Sequence, residues 1–270
     1  DPVEFARPLI MAIVNATPDS FSGDGLFRRP DEAVAQGLKM VEQGADIIDI
    51  GGESTRPGAK PVTVDEELER VVPTIEGLSQ CGKPISIDSR NAAVMNAALD
   101  AGAAIINDIS ALSHDPEALA VAAASGAPVM IMHCQGLPGT MQNDPHYDDV
   151  VLDVYDYLDG RIGACLAAGI ERGNIIVDPG IGFGKTARHN FELLQSLSLF
   201  HGLGCPILLG VSRKRFITAP GARFNAREGV GGSLAAALDG LAQGAHILRV
   251  HDVAETVRAG KIWGAIADSG

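Results

Sequence analysis

The sequence predicts an α/β fold, a single-domain (β/α)8 or TIM barrel, and three observations carry that prediction. A unit of Gly-Ala, apolar run and polar end recurs, beginning at Gly44, Gly102, Gly126 and Gly244. Adding the apolar runs that lack Gly-Ala gives eight short strands separated by helix-period segments. Aromatic residues make up only 4% of the chain, so aliphatic side chains build the interior, as in parallel sheets covered on both faces.

The elements follow in order. Residues 9–14 read as the first strand and 30–43 as the first helix. Gly44-Ala45-Asp46-Ile47-Ile48-Asp49 then gives a left-handed helix end and a buried strand. In the segment 65–80, Leu68, Val72 and Ile75 recur at i, i+4 and i+7, the apolar stripe of a helix. Residues 84–87 form the third strand and 91–101 the third helix. Gly102-Ala103-Ala104-Ile105-Ile106-Asn107-Asp108 repeats the unit, followed by a helix at 116–125. Gly126-Ala127-Pro128-Val129-Met130-Ile131-Met132-His133 repeats it again before the helical segment 148–169. Strands at 174–177 and 206–211 flank a helix at 189–202, and 226–243 is the seventh helix. Gly244-Ala245-His246-Ile247-Leu248-Arg249-Val250-His251 closes the set, with a helix at 252–266. A doubly wound open sheet is the structural alternative; it would show about five to seven strands and one phosphate-binding turn near its start. Longer polar stretches at 15–29, 51–64, 134–147 and 217–225 follow strands one, two, five and seven. In a barrel, such loops form the active face.

Composition excludes several classes. At 46% hydrophobic and 20% charged, the 270 residues are not a disordered chain, and 32 glycines without a period are not collagen. A net charge of −13 repels duplex nucleic acid and anionic membrane unless basic groups are focused in one place. Cys81, Cys134, Cys165 and Cys205 lie far apart with no C-x-x-C pair, the usage of a reducing cytosol, so a cytoplasmic location is expected. No window reaches the ~18 apolar residues of a membrane helix. The run 9–14 is too short for a leader and only Arg7 precedes it closely.

Polar residues crowd the ends of all eight strands: Asn15, Asp49, Asp88, Asn107, Asp108, His133, Asp178, Ser212-Arg213-Lys214, Arg249 and His251. Buried polar groups cost free energy unless partnered. Ser89, Ser110 and Asp252 are expected to cap the following helices, and any single strand-end residue is as well explained by capping as by function. Eight such ends together point to one ligand pocket. Arg56, Lys185, Arg213, Lys214, Arg215 and Arg249 fall in these segments, so a basic mouth that focuses an anion is expected in an acidic protein. Gly180-Ile181-Gly182-Phe183-Gly184-Lys185-Thr186 lacks the full spacing of a nucleotide-phosphate loop. It reads instead as a glycine-rich loop presenting Phe183 to a flat aromatic ligand.

Several of these segments resemble one family. Asn15-Ala16-Thr17-Pro18-Asp19-Ser20-Phe21-Ser22 and Gly51-Gly52-Glu53-Ser54-Thr55-Arg56-Pro57-Gly58-Ala59 look like the two signature loops of dihydropteroate synthases. Ile87-Asp88, Ile106-Asn107-Asp108-Ile109, Met132-His133, the segment Asp178 to Lys185, Gly210-Val211-Ser212-Arg213-Lys214 and Arg249-Val250-His251-Asp252-Val253 extend the match in order along the chain.

The resemblance implies the barrel and a reaction. p-Aminobenzoate would join 6-hydroxymethyl-7,8-dihydropterin pyrophosphate, with Mg²⁺, to give 7,8-dihydropteroate and pyrophosphate. It assigns pterin contacts to Asp88, Asn107, Met132, Asp178, Phe183 and Lys214, and pyrophosphate contacts to Asn15, Thr55, Arg249 and His251. p-Aminobenzoate falls to Phe21, Thr55, Arg56, Pro57, Phe183, Lys214 and Arg215, and the Mg²⁺ contact to Asn15. Lys214, Arg249, His251 and Asp88 form the implied catalytic set. Departure of pyrophosphate before attack by the amine is the implied mechanism, with the first two loops closing to exclude water. Small-molecule substrates, no nucleic acid, no membrane, a homodimer and sulfonamide inhibition are the further implications. The chain departs from the family pattern at Gly23-Asp24-Gly25, where an acid then Gly-Gly is usual, at Arg215 in place of Ser, and at Ser89 in place of Thr. Other readings are a pterin-binding methyltransferase half, a pterin-binding paralogue without turnover, and a structural barrel. The last predicts apolar strand ends, which the sequence lacks.

Overall fold

The computed structural model of the chain describes residues 7–17, 30–53, 62–136, 139–217, 229–267 and 269. The strands are β1 (Leu9–Asn15), β2 (Ile47–Gly51), β3 (Ile85–Asp88), β4 (Ile105–Asp108), β5 (Val129–Met132), β6 (Ile175–Asp178), β7 (Leu208–Leu209) and β8 (Ile247–Val250). They lie in one sheet in the order β6-β5-β4-β3-β2-β1-β8-β7, and every ladder is parallel. A parallel bridge between Val177 and Ile207 brings β6 against the segment entering β7, so the sheet curls into a nearly closed barrel. Helices α1 (Pro30–Glu42), α2 (Val64–Leu78), α3 (Ala92–Asp100), α4 (Ala118–Ser125), α5 (Val150–Ala167), α6 (Ala187–Gln195), α7 (Gly229–Ala242) and α8 (Val253–Ala267) alternate with the strands.

The repeated glycines do what the sequence predicts. Gly44, Gly102, Gly126 and Gly244 take φ of 103°, 112°, 67° and 90°, the left-handed region where a side chain is strained. The strand-end polar residues behave less uniformly. Ser89 accepts from the Asn91 amide and Ser110 from the His114 amide, but neither caps a helix as expected: the N-cap positions of α3 and α4 are Asn91 and Glu117, because each Ser sits in the turn before its helix. Asp252 precedes α8, but both carboxylate oxygens go to Arg213. The expected helix 189–202 stops at Gln195, where Ser196 leaves helical geometry, and a 3₁₀ segment, Leu197–Leu203, takes over. The seventh strand, expected over 206–211, is regular only over Leu208–Leu209, with a single bridge at Ile207 before it.

Period-2 alternation divides each strand between two interiors. Outward residues such as Ile48, Ile50, Ile87, Ile106, Ile131 and Val177 pack against the helices. Inward residues Met11, Ile47, Ile105, Met130, Ile176, Leu208 and Ile247 form a separate apolar plug that fills the lower lumen. Two residues further along, the same inward register carries Asp49, Asn107, Met132, Asp178 and Arg249. The plug therefore forms a dry floor beneath a polar layer.

Candidate active site

The polar layer is built around Arg249. Its Nε donates to Asp49 Oδ2 at 2.6 Å and its Nη2 to Asp88 Oδ2 at 2.5 Å. Asn107, in register with Asp88 across β3 and β4, donates to both oxygens of Asp49 at 3.3 and 3.4 Å. Burial opposes the charge on Arg249, but Asp49 and Asp88 outweigh it and hold the guanidinium above its ordinary pKa. Burial also raises the Asp88 carboxyl, against the pull of Arg249. Ser86 lies beside Asp49 in the ladder, and its Oγ is buried without a hydrogen-bond partner.

Asp178 ends β6. Its Oδ1 accepts from the Gly180 amide at 2.7 Å, yet burial still pushes its pKa up. Lys214 stands opposite, its Nζ 4.0 Å from the centre of the Phe183 ring. Burial pushes the Lys214 pKa down to about 8, with Asp178 pulling the other way. Ile109, Met132, Met141 and Phe183 form a small apolar cluster beside these groups, suited to a flat ring.

The glycine-rich loop that carries Phe183 is pinned on every side. Lys185 Nζ donates to the carbonyls of Gly180 and Phe183 at 2.9 and 3.0 Å and meets His133 Nδ1 at 2.8 Å. Gln142 donates to the Gly182 carbonyl, Tyr147 to that of Gly184, and the Gly182 amide donates to Asn190. Burial pushes Lys185 down to about 7 and His133 down to about 3. Lys185 is 3% exposed, so it fastens the loop rather than lining a basic mouth. Arg213 is likewise committed, at 2.6 Å to Asp252. Among the described residues of the expected basic mouth, Lys185, Arg213 and Arg249 are thus all held by internal partners.

Asn15 ends β1 and is half-buried. It lines a cleft with Lys39, Arg213 and His251, between α1 and the start of α8. His251 Nδ1 meets Ser212 Oγ at 3.1 Å, and burial with the nearby Arg213 and Arg249 lowers its pKa to about 3. The imidazole is therefore neutral at physiological pH. Arg215 opens a 3₁₀ turn, Arg215–Ile217, at the surface. Phe21, Thr55, Arg56 and Pro57 lie outside the described residues, as do Gly23, Asp24 and Gly25.

The structure thus gathers Asp88, Asn107, Met132, Asp178, Phe183, Lys214 and Arg249 at one end of the barrel, with Asn15 and His251 in the adjoining cleft. Asp49, one of the strand-end residues that the sequence pointed to without giving it a role, joins them, as do Ile109 and Met141, which the sequence-derived pocket lacks. The signal for Asp49 was available: it sits two residues after the inward Ile47, on a strand buried throughout. Ile109 and Met141 reach the pocket only through loop conformation.

Residues 11–251 match the family model described as pterin binding enzyme. A dihydropteroate synthase of Haemophilus influenzae is 48% identical over 99% of this chain and 97% of its own length. The structure superposes on Xanthomonas albilineans dihydropteroate synthase with 4-aminobenzoic acid at a TM-score of 0.91 and 47% identity, covering 97% of this chain and 94% of that one. The enzyme from the same organism in complex with 7,8-dihydropteroate gives 0.89 and 44%, covering 98% and 95%. With the barrel superposing and 48% identity to a relative over nearly the full length, the chain belongs to the dihydropteroate synthase family of pterin-binding enzymes.

Proposed function

We propose that the chain is a transferase forming a C–N bond between p-aminobenzoate and 6-hydroxymethyl-7,8-dihydropterin pyrophosphate, a step of folate biosynthesis. The observation that carries this reading is the meeting of Asp88, Asn107, Asp178 and Lys214 beside the Met132–Phe183 cluster. Carboxylates and an amide accept from the guanidine-like edge of the pterin, and Lys214 donates to the ring carbonyl. Buried charges give discrimination, because a wrong ligand leaves them unpaired.

Arg249, His251, Thr55 and Asn15 hold the pyrophosphate. The C–O bond to pyrophosphate breaks first, and the electron-rich dihydropterin delocalises the positive charge left on its methylene carbon. The amine of p-aminobenzoate then attacks that carbon, forming the C–N bond and losing a proton. Hydrogen bonds from Arg249 and His251 strengthen as charge gathers on the leaving group. p-Aminobenzoate sits among Phe21, Thr55, Arg56, Pro57, Phe183, Lys214 and Arg215. No side-chain nucleophile is needed. Among the described residues no group of three or more acidic, His or Cys side chains could cage a metal. Mg²⁺ keeps much of its water and takes few protein ligands. The Asn15 amide oxygen and the pyrophosphate would hold the ion, which supplies charge neutralisation for the leaving group.

A cytoplasmic location accords with four free cysteines, and a homodimer with Ile262 and Ile266, which stand exposed on α8. No helix among the described residues is long and apolar enough to cross a membrane. The binding test is calorimetry of 6-hydroxymethyl-7,8-dihydropterin with wild type and Asp178→Asn. Loss of a charged hydrogen bond should weaken binding by about 2–3 kcal/mol. Equal affinities would remove Asp178 from the pocket.

A further inference from the structure

Arg249 holds two carboxylates at once, and they differ in position. Asp49 is fully buried at the bottom of the polar layer, whereas the Asp88 side chain is 16% exposed at the strand end. Nε goes to the deep carboxylate alone, while Nη2 lies between the two, 2.6 Å from Asp49 Oδ2 and 2.5 Å from Asp88 Oδ2. A guanidinium presents a planar row of N–H donors, and the amino-pyrimidinone edge of a pterin presents a similar planar row. The Asp88 oxygen that would receive the pterin edge is therefore already occupied by a donor of the same shape.

We propose that Arg249 is a resident stand-in for the pterin edge. An incoming ring takes Asp88 from Arg249, while Asp49 keeps hold of Nε so that the guanidinium pivots instead of leaving the site. This rests on the pterin reading given above. The exchange has a physical rationale: a buried carboxylate without a partner is costly, and Arg249 keeps Asp88 partnered until the ring arrives. It also frees one edge of the guanidinium as the ring seats, making that edge available to the pyrophosphate on the same substrate. Asp49 is then a positioning residue. It touches no substrate, and it sets how tightly Arg249 holds Asp88. Asn107 bridges the two functions, since it donates to Asp49 and stands in register with Asp88.

The test is a double-mutant cycle read by calorimetry with 6-hydroxymethyl-7,8-dihydropterin, which carries no phosphate. In Asp49→Asn the whole charge of Arg249 rests on Asp88, and the displaced guanidinium has no second carboxylate. Affinity for this pterin should fall by about fivefold or more. Adding Arg249→Gln to Asp49→Asn removes the competitor and should restore affinity to the wild-type value or better. Failure of the second substitution to restore binding would overturn the proposal, because an Asp49 that only supports the strand cannot be rescued by loss of Arg249. Thermal melting checks folding. Should Arg249→Gln not fold, Arg249→Met replaces it, since it too removes the donor that competes for Asp88, and the same rescue is expected. Wild-type protein that binds no dihydropterin would refute the proposed function itself, a result distinct from binding without rescue.

Discussion

Lys214 is the residue whose charge the pocket controls most directly. Its ammonium lies over the Phe183 ring, and burial lowers its pKa to about 8 against the pull of Asp178. The protonated form is the one that donates to a ring carbonyl, and above about pH 8 the ligand-free protein loses it. Pterin affinity should therefore decline as pH rises through about 8, and Lys214→Met should bind weakly with no such decline. Calorimetry across that range checks this, and a flat wild-type profile would exclude Lys214 as the donor. Individual residues were only partly legible in the sequence. The strand-end positions of Asp88, Asn107, Asp178 and Arg249 follow from the apolar runs before them. The pairing of Arg213 with Asp252 does not, because it depends on Arg213 adopting a φ of 55° and on the approach of two loops.

At the scale of elements, the loop 180–185 decides where Phe183 stands. Gly180 has a φ of 68°, and a Cβ there would overlap the carbonyl oxygen of His133. Gly180→Ala should therefore displace the loop, lower stability by at least about 1–3 kcal/mol, and weaken dihydropterin binding with it. Urea unfolding and calorimetry measure the two effects, and a variant that keeps both properties would show that the loop tolerates another path. The sequence showed the loop as glycine-rich and aromatic. It did not show the clamp, since Lys185 folds back on its own loop while Gln142 and Tyr147 reach it from the segment after β5 and Asn190 from α6, contacts that form only through the fold. Helix boundaries were legible where glycine takes a left-handed turn. They were less so at Gln195, where no glycine or proline marks the change to 3₁₀ geometry.

At the scale of the whole molecule, the barrel buries histidines in neutral form. His133 and His251 are pushed from 6.5 to about 3 by burial, with neighbouring cations adding to the effect. The unfolded chain binds protons at these sites below about pH 6.5, and the folded chain does so only near 3. Their contribution to stability is thus present above about 6.5 and is lost as pH falls toward 3, by up to about 2 kcal/mol per site on reaching pH 5. Urea unfolding at about pH 7 and about pH 5 should show this loss. His133→Asn, whose Oδ1 can still accept from Lys185, should show less of it; an equal loss would assign the acid sensitivity elsewhere. The eightfold alternation made the barrel legible from sequence, because each unit carries its own turn, strand and polar end. Assembly was not legible, since the exposed Ile262 and Ile266 differ little in pattern from other amphipathic helix faces.

The central claim is a reaction, and turnover tests it most directly. Purified protein would be given Mg²⁺ and 6-hydroxymethyl-7,8-dihydropterin pyrophosphate, and pyrophosphate release followed with and without p-aminobenzoate. Release that depends on p-aminobenzoate, with 7,8-dihydropteroate formed in equal amount, is the predicted result. Dihydropterin binding without p-aminobenzoate-dependent release would contradict the account and leave a pterin-binding protein that does not catalyse the condensation.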